Sequence, residues 1–276
     1  MPKRTISKWI NFEIRTEMEE RFADVTKHVP WFAGHPFLAS LVEWFCGISQ
    51  VRRFFHEASR DENPFAGVAC RAEMGIELKG LKEEVPSEGP VVIAANHSHG
   101  GPDALALAAK LLELRPDTMI LCNAELMALP GVKRYFLPVT LMKEGSAGEN
   151  SGSLRLMLKH VKGGGALMVF PAGGEAFWQD GGIKDPPWNN HVVKLVSRMN
   201  ATVVPLWFFG GVPPWMQILS KLSGFVRTAL IPRGLISMRG RVMEGRVGKA
   251  FPSERLKIEE IGWLRKHLES LRDLGN

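Results

Sequence analysis

Residues 91–114 read VVIAANHSHGGPDALALAAKLLEL, and this stretch decides the fold. Five apolar residues, Val91 to Ala95, suit a strand buried on both faces. The chain then turns through Gly100 and Gly101. Pro102 fits the first helical position, which places Asp103 in the first turn of a helix running to Leu114. Strand, glycine turn and helix in that order are the repeating unit of an α/β sheet.

The same alternation continues outward. Apolar runs lie at TMILCN (118–123), KRYFLPVTL (133–141), ALMVF (166–170) and TVVPLWFF (202–209). Helical periodicity lies between them, around Gly152–Lys162 and Asn190–Met199. The pattern predicts an α/β fold with a largely parallel central sheet flanked by helices. Upstream, residues 6–60 read as helical, with apolar residues three and four apart. Downstream, SERLKIEEIGWLRKHLESLRDL from Ser253 predicts one amphipathic helix with Leu256, Ile261, Leu264 and Leu268 on a stripe. The expected organisation is a helical, membrane-associating segment over 1–60, a catalytic α/β domain over 61–252 and a terminal helix over 253–276.

Composition limits the function. At 276 residues, 45% hydrophobic and 23% charged, the chain is long enough for a substantial core and is neither disordered nor fibrous. Cys46, Cys70 and Cys122 form no CxxC pair, which argues against a disulfide framework or a cysteine-bound zinc. A reducing, cytosol-facing location is the simpler expectation. Residues 221–276 hold 12 Lys or Arg against 6 Asp or Glu, which accounts for the whole net charge of +6. A basic segment of this kind points to an anionic partner. The segment 205–249 also carries Trp207, Trp215 and Lys221, a composition suited to a bilayer surface. Residues 31–48 are apolar but interrupted by Gly34, His35, Pro36 and Glu43, so one or two short helices, buried in the core or lying on a bilayer surface, are expected rather than a span. The first 25 residues show no targeting signal, and the C-terminus shows no lipidation pattern. No nucleic-acid-binding motif is present, so no nucleic acid partner is expected.

Strand ends collect ligands in such sheets, which singles out NHSHGGPDAL and PAGGEAF. In the first, glycines let the chain fold Asp103 back toward a histidine. A histidine fixed by a carboxylate is a general base. The same residues also fit a helix-dipole aspartate beside loop histidines. A third reading is a metal-dependent hydrolase on His97, His99 and Asp103, although the other histidines are solitary and lack ligand spacing. No GxSxG, phosphate-binding P-loop or dinucleotide fingerprint occurs.

These residues resemble the glycerolipid acyltransferase superfamily, the PlsC-type lysophosphatidic acid acyltransferases. They are most similar to the branch of hemolysin-like and lyso-ornithine-lipid acyltransferases. The first family motif is His, four residues, Asp; the branch form is one longer and has two glycines. Asn96, His97, Gly100, Gly101 and Asp103 match it, with Ser98 in place of a proline. Phe170, Pro171, Ala172 and Gly173 match the branch's Phe-Pro-Ala-Gly, and an added Gly174 moves the acid to Glu175. The similarity covers roughly residues 75–250.

The resemblance implies acyl transfer from an acyl thioester, acyl-CoA or acyl carrier protein, to the hydroxyl of a lysolipid. It implies His97 as base and Asp103 as its partner. Asn96, Gly100, Gly101, Lys143, Phe170, Pro171, Gly173, Gly174, Glu175 and Arg227 would bind substrate. The glycine loop would serve as a nest of N–H groups, and Lys143 or Arg227 would hold the anionic headgroup. No metal or bound cofactor is expected. The expected partners are membrane lipids, the lysolipid and acyl carrier protein, at the cytoplasmic face of a membrane. A non-catalytic membrane-binding homologue is the remaining alternative.

Overall fold

The computed structural model describes residues 36–139, 150–179, 182–222, 224–259 and 262–273. The expectations for residues 1–35, and for Lys143, fall outside the described residues.

Among the described residues three helices come first: α1 (Pro36–Cys46), α2 (Ile48–Ala58) and α3 (Pro64–Arg71). The start of α3 is written in the sequence. Asn63 caps it by accepting the Ala66 N–H at 3.1 Å, and Pro64 follows at the first helical position. Next come β1 (Gly75–Lys79), α4 (Leu81–Glu84), β2 (Val91–Ala95), α5 (Gly101–Leu114), β3 (Met119–Asn123) and β4 (Phe136–Val139). Then follow α6 (Ser151–Lys162), β5 (Ala166–Val169), a hairpin of β6 (Phe177–Gln179) and β7 (Gly182–Lys184), α7 (Asn190–Val196) and β8 (Thr202–Phe208). The chain continues through α8 (Pro214–Ser220), α9 (Gly224–Ile236), β9 (Val242–Val247), β10 (Phe251–Pro252), α10 (Arg255–Ile258) and α11 (Trp263–Asp273).

The main sheet has the order β1-β9-β8-β2-β5-β3-β4, with β10 beside β8. The neighbours β8-β2-β5-β3-β4 are all parallel, and β9 joins β8 antiparallel. The expected α/β class with a largely parallel sheet is thus what the chain forms. Alternate residues of the central strand face two cores. Val91, Ile93 and Ala95 meet α2, α3 and α5; Val92 and Ala94 meet α6, α7 and α11. Both faces are covered, which is why β2 is apolar throughout.

One reading needs correction. The tail is two helices rather than one: Glu259 is extended at ψ 153° and Gly262 sits at φ +98°, a left-handed position that ends helical continuity. Helix α11 still buries Leu264 and Leu268, with Leu271 added. Between β8 and β9, the basic and aromatic segment folds into α8 and α9, the latter with Pro232 inside it.

At the end of the sheet opposite the strand C-termini, buried Arg115 closes three loops. Its guanidinium donates to the carbonyls of Pro86, Gly89 and Gly164 and to both oxygens of Asp117. A buried charge is tolerable when each of its nitrogens is hydrogen-bonded in this way.

Candidate active site

The parallel order puts the end of β2 between the ends of β5 and β8, with Ala94 beside Val169 and Ala95 beside Leu206. Phe170 and Phe208 therefore flank the loop that starts at Asn96. Asn96 is buried and bonds both backbone groups of Phe208. Its Oδ1 accepts the N–H at 2.6 Å and its Nδ2 donates to the carbonyl at 3.1 Å. The residue expected to touch substrate is instead a clamp between strands.

His97 and Asp103 meet. Nδ1 of His97 lies 2.9 Å from Oδ1 of Asp103. Asp103 has no solvent exposure, and the His97 side chain keeps 17%. The carboxylate also accepts the His99 N–H at 2.8 Å on Oδ2 and the Ala104 N–H at 2.7 Å on Oδ1. An ionised carboxylate only accepts, so it fixes the proton of a neutral His97 on Nδ1 and leaves Nε2 as the basic nitrogen. The ring also stacks on Phe170, with centroids 4.1 Å apart.

Glycine makes this turn possible. Gly100 has φ +72°, and a Cβ there would stand 3.2 Å from Glu175 Cβ. One on Gly101 would come within 3.0 Å of Ile231 of α9. Larger residues would push the β5 loop or α9 away.

The two histidines differ in electrostatics. Burial opposes charge on His97, but the charge and hydrogen bond of Asp103 outweigh it, with Asp185 and Glu175 adding to the pull. The net shift is above the ordinary value of 6.5. Burial dominates at His99 and lowers its pKa. The His99 ring faces Ser98 Oγ at 2.9 Å rather than the carboxylate. Among the described residues, no three His, Cys, Asp or Glu side chains converge as a metal site.

The second loop closes beside the first. Gly173 turns its N–H back to the Phe170 carbonyl at 2.9 Å, so that donor is used within the turn and not in a nest. Pro171 accepts the Asn189 N–H at 2.7 Å. A Cβ on Gly174 would make only ordinary contact with Pro186. Glu175 pairs with Arg227, Oε1 to Nε 3.1 Å, and the Arg227 guanidinium lies 4.5 Å from the Phe177 ring centroid. Arg227 thus already carries a carboxylate partner. Sequence reasoning missed Asp185, which accepts the His97 backbone N–H at 3.2 Å although 88 residues away. Only an Asp before two prolines marks it in the sequence.

A family model for acyltransferases matches residues 17–273. Two curated proteins are similar, both named lyso-glycine lipid O-acyltransferase. The one from Phocaeicola vulgatus is 33% identical over 140 residues, covering 49% of this chain and 47% of that protein. The one from Bacteroides thetaiotaomicron is 28% identical over 136 residues, covering 49% and 48%. The chain spans about half the length of the curated relatives it matches. Among solved structures, a crystal structure of the 1-acyl-sn-glycerophosphate acyltransferase PlsC from Thermotoga maritima is similar. It is 17% identical, with coverage of 91% and 93% and a TM-score of 0.47.

Proposed function

The chain belongs to the acyltransferase family, as its motifs suggested, and from that premise we propose that it O-acylates a lysolipid with His97 as general base. The observation that carries this reading is the 2.9 Å contact between His97 Nδ1 and the fully buried Asp103. Nε2 of His97 takes the proton of the acceptor hydroxyl as its oxygen attacks the thioester carbonyl. Asp103 stabilises the imidazolium. The tetrahedral intermediate then expels the thiolate, which receives the proton from Nε2, giving an ester and a free thiol. The donor is acyl-CoA or acylated acyl carrier protein; the thioester supplies the activation, so the step needs no metal. The names of the similar proteins favour a lysolipid with an amino-acid headgroup, with lysophospholipids as the other class. On this reading the Glu175–Arg227 pair shapes the headgroup end of the acceptor. The deciding experiment offers lyso-glycine lipid, lyso-ornithine lipid and lysophosphatidic acid with each donor and identifies products by mass. Failure of every pair to give a new ester would overturn the reading.

The base assignment sets a pH dependence. A protonated His97 cannot accept the hydroxyl proton, so kcat/KM falls as pH drops through its pKa. That pKa is raised, so the acid limb should have its midpoint above 6.5. A midpoint below about 6 would exclude His97 as the titrating base.

The protein works, on this reading, attached to the surface of a bilayer at its cytoplasmic face, where such thioesters are made. Among the described residues no helix is long and apolar enough to cross a membrane. Support comes from one apolar face. Trp44 of α1, Ile218 of α8 and Leu222 just beyond it are 70%, 65% and 73% exposed. Trp178 and Ile183 of the β6–β7 hairpin are exposed too. Phe45 and Trp215 pack edge to face across α1 and α8, and Lys221 lies over the Trp178 ring. Tryptophan with flanking cations suits the headgroup layer. The face adjoins the site: a Cβ on Gly211 would touch both Ile183 and the Ser98 carbonyl. Burying a leucine or isoleucine is worth about 1.5–3 kcal/mol. The double change Ile218→Asp and Leu222→Asp should therefore weaken partition onto anionic vesicles by about a hundredfold. Salt should weaken the wild type. Unchanged partition of the double variant in a flotation assay would reject this face.

A further inference from the structure

Residues 171–179 and 182–189 lie off the main sheet after β5, and their two ends are joined by the Asn189 N–H to Pro171 carbonyl bond. Two points of this excursion grip the main chain of His97. Ala176 donates its N–H to the His97 carbonyl at 2.8 Å. The Asp185 carboxylate accepts the His97 N–H, at 3.2 Å to Oδ1 and 3.4 Å to Oδ2. Asp185 is itself fixed. Its Oδ2 accepts the Trp188 indole N–H at 3.0 Å, and its carbonyl accepts from Gln179 Nε2 at 3.1 Å. Both side-chain oxygens therefore face N–H donors, the pattern of an anion.

We propose that Asp185 is a positioning residue for His97, holding it from the main-chain side and placing a second negative charge beside the imidazole. The proposal rests on the reading of His97 as the base. The N–H of a residue just past a strand end has no ladder partner to direct it. Fixing that N–H restricts the backbone that carries the ring, as the Asp103 bond and the Phe170 stack restrict the ring itself. A fixed charge in a partly dry site also favours the imidazolium that forms during proton transfer. The groups facing His97 are Asp103 and His99 from the glycine turn and α5, Glu175 from the β5 loop, Arg227 of α9 behind Glu175, and Asp185. Burial raises the Asp185 pKa, and the donors from Trp188 and His97 oppose the rise; the site holds this charge at a cost.

The test uses the full chain with acyl-CoA and a lysolipid in vesicles, and measures kcat and KM from pH 5 to 9. Asp185→Asn, Asp185→Ala, Trp188→Phe and His97→Ala are compared with wild type. Both Asp185 variants lose the charge, so the acid limb of kcat/KM should move down by about half a unit or more. Asp185→Ala should also lose about tenfold or more in kcat at the plateau, with acceptor KM within about twofold. Asp185→Asn keeps a carbonyl acceptor for the His97 N–H and should recover most of that loss. Trp188→Phe keeps the charge, so its acid limb should stay in place while kcat falls modestly. If Asp185→Ala does not fold, the acid limb of the isosteric Asp185→Asn decides. An unmoved acid limb in Asp185→Asn, or a loss that falls on KM alone, overturns the inference while an inactive His97→Ala leaves the base reading standing. An active His97→Ala overturns that reading and this inference with it.

Discussion

Replacing His97 by Ala is expected to lower the rate of acyl transfer by about 10²–10⁴, the usual contribution of a positioned general base. The loss should lie in kcat, because the ring acts on the proton in the transition state and adds little to holding the ground state. His99→Ala is the matched control, only two positions away. Its ring faces Ser98 Oγ, and what Asp103 takes from this residue is the backbone N–H. An alanine keeps that N–H. His99→Ala should therefore retain activity within about tenfold, or about 1.4 kcal/mol of transition-state stabilisation. Rates are to be taken on vesicle-bound protein whose far-ultraviolet circular dichroism matches wild type. An inactive His99→Ala beside an active His97→Ala would reverse the assignment. Loss in both, with activity following bound zinc, would install a metallo-hydrolase instead.

Asp103→Asn should be nearly as damaging, by a different route. Three N–H groups converge on the two carboxylate oxygens: the His97 ring, His99 and Ala104. An asparagine offers one acceptor oxygen and one NH₂. If its oxygen stays with the His99 N–H, the NH₂ faces the His97 ring and forces its proton onto Nε2. The nitrogen that should accept is then occupied. The opposite flip keeps the ring tautomer but sets an NH₂ against the His99 N–H in a site with no solvent. In the Ser-His-Asp enzymes such a tautomer error costs about 10⁴ in kcat, and about 10³–10⁴ is expected here. Leaving a buried donor unsatisfied should also lower stability by about 1–3 kcal/mol. That would show as a reduced melting temperature, measured alongside the kinetics. A variant within about tenfold of wild type would mean that Asp103 does not orient the ring.

The central strands β2, β5 and β8 announced themselves because they are buried on both faces and so almost wholly apolar. β1 did not: GIELK alternates exposed and half-buried positions at the sheet edge, and no apolar run marks it. In β9 the inward positions are Met243, Gly245 and Val247, and a glycine among three breaks the signal. The break after α10 was obscured by a stripe of leucines that continues across it, although Gly262 stood in the middle. The pairing of His97 with Asp103 was legible because both lie in one glycine turn. Asp185 was not, because no local spacing relates residues 88 positions apart. The partnership of Arg227 with Glu175 was hidden for the same reason.

The side chain of Asn96 has a consequence for how the central strand ends. Its carboxamide presents one acceptor and one donor to Phe208, the pair of groups that a further residue of backbone would have offered. A side chain thus stands in for a missing rung of the ladder. β8 runs on past the last residue of β2 with its polar groups satisfied, and β2 is released one step early. His97 therefore enters the site with a peptide group that the sheet does not claim, and the two ends of that residue's main chain are available to Ala176 and Asp185. A strand that continued by one more ladder pair would have spent those bonds on sheet. Lengthening the regular structure here would dismantle the support of the ring, so the early end of β2 is itself part of how the histidine is held.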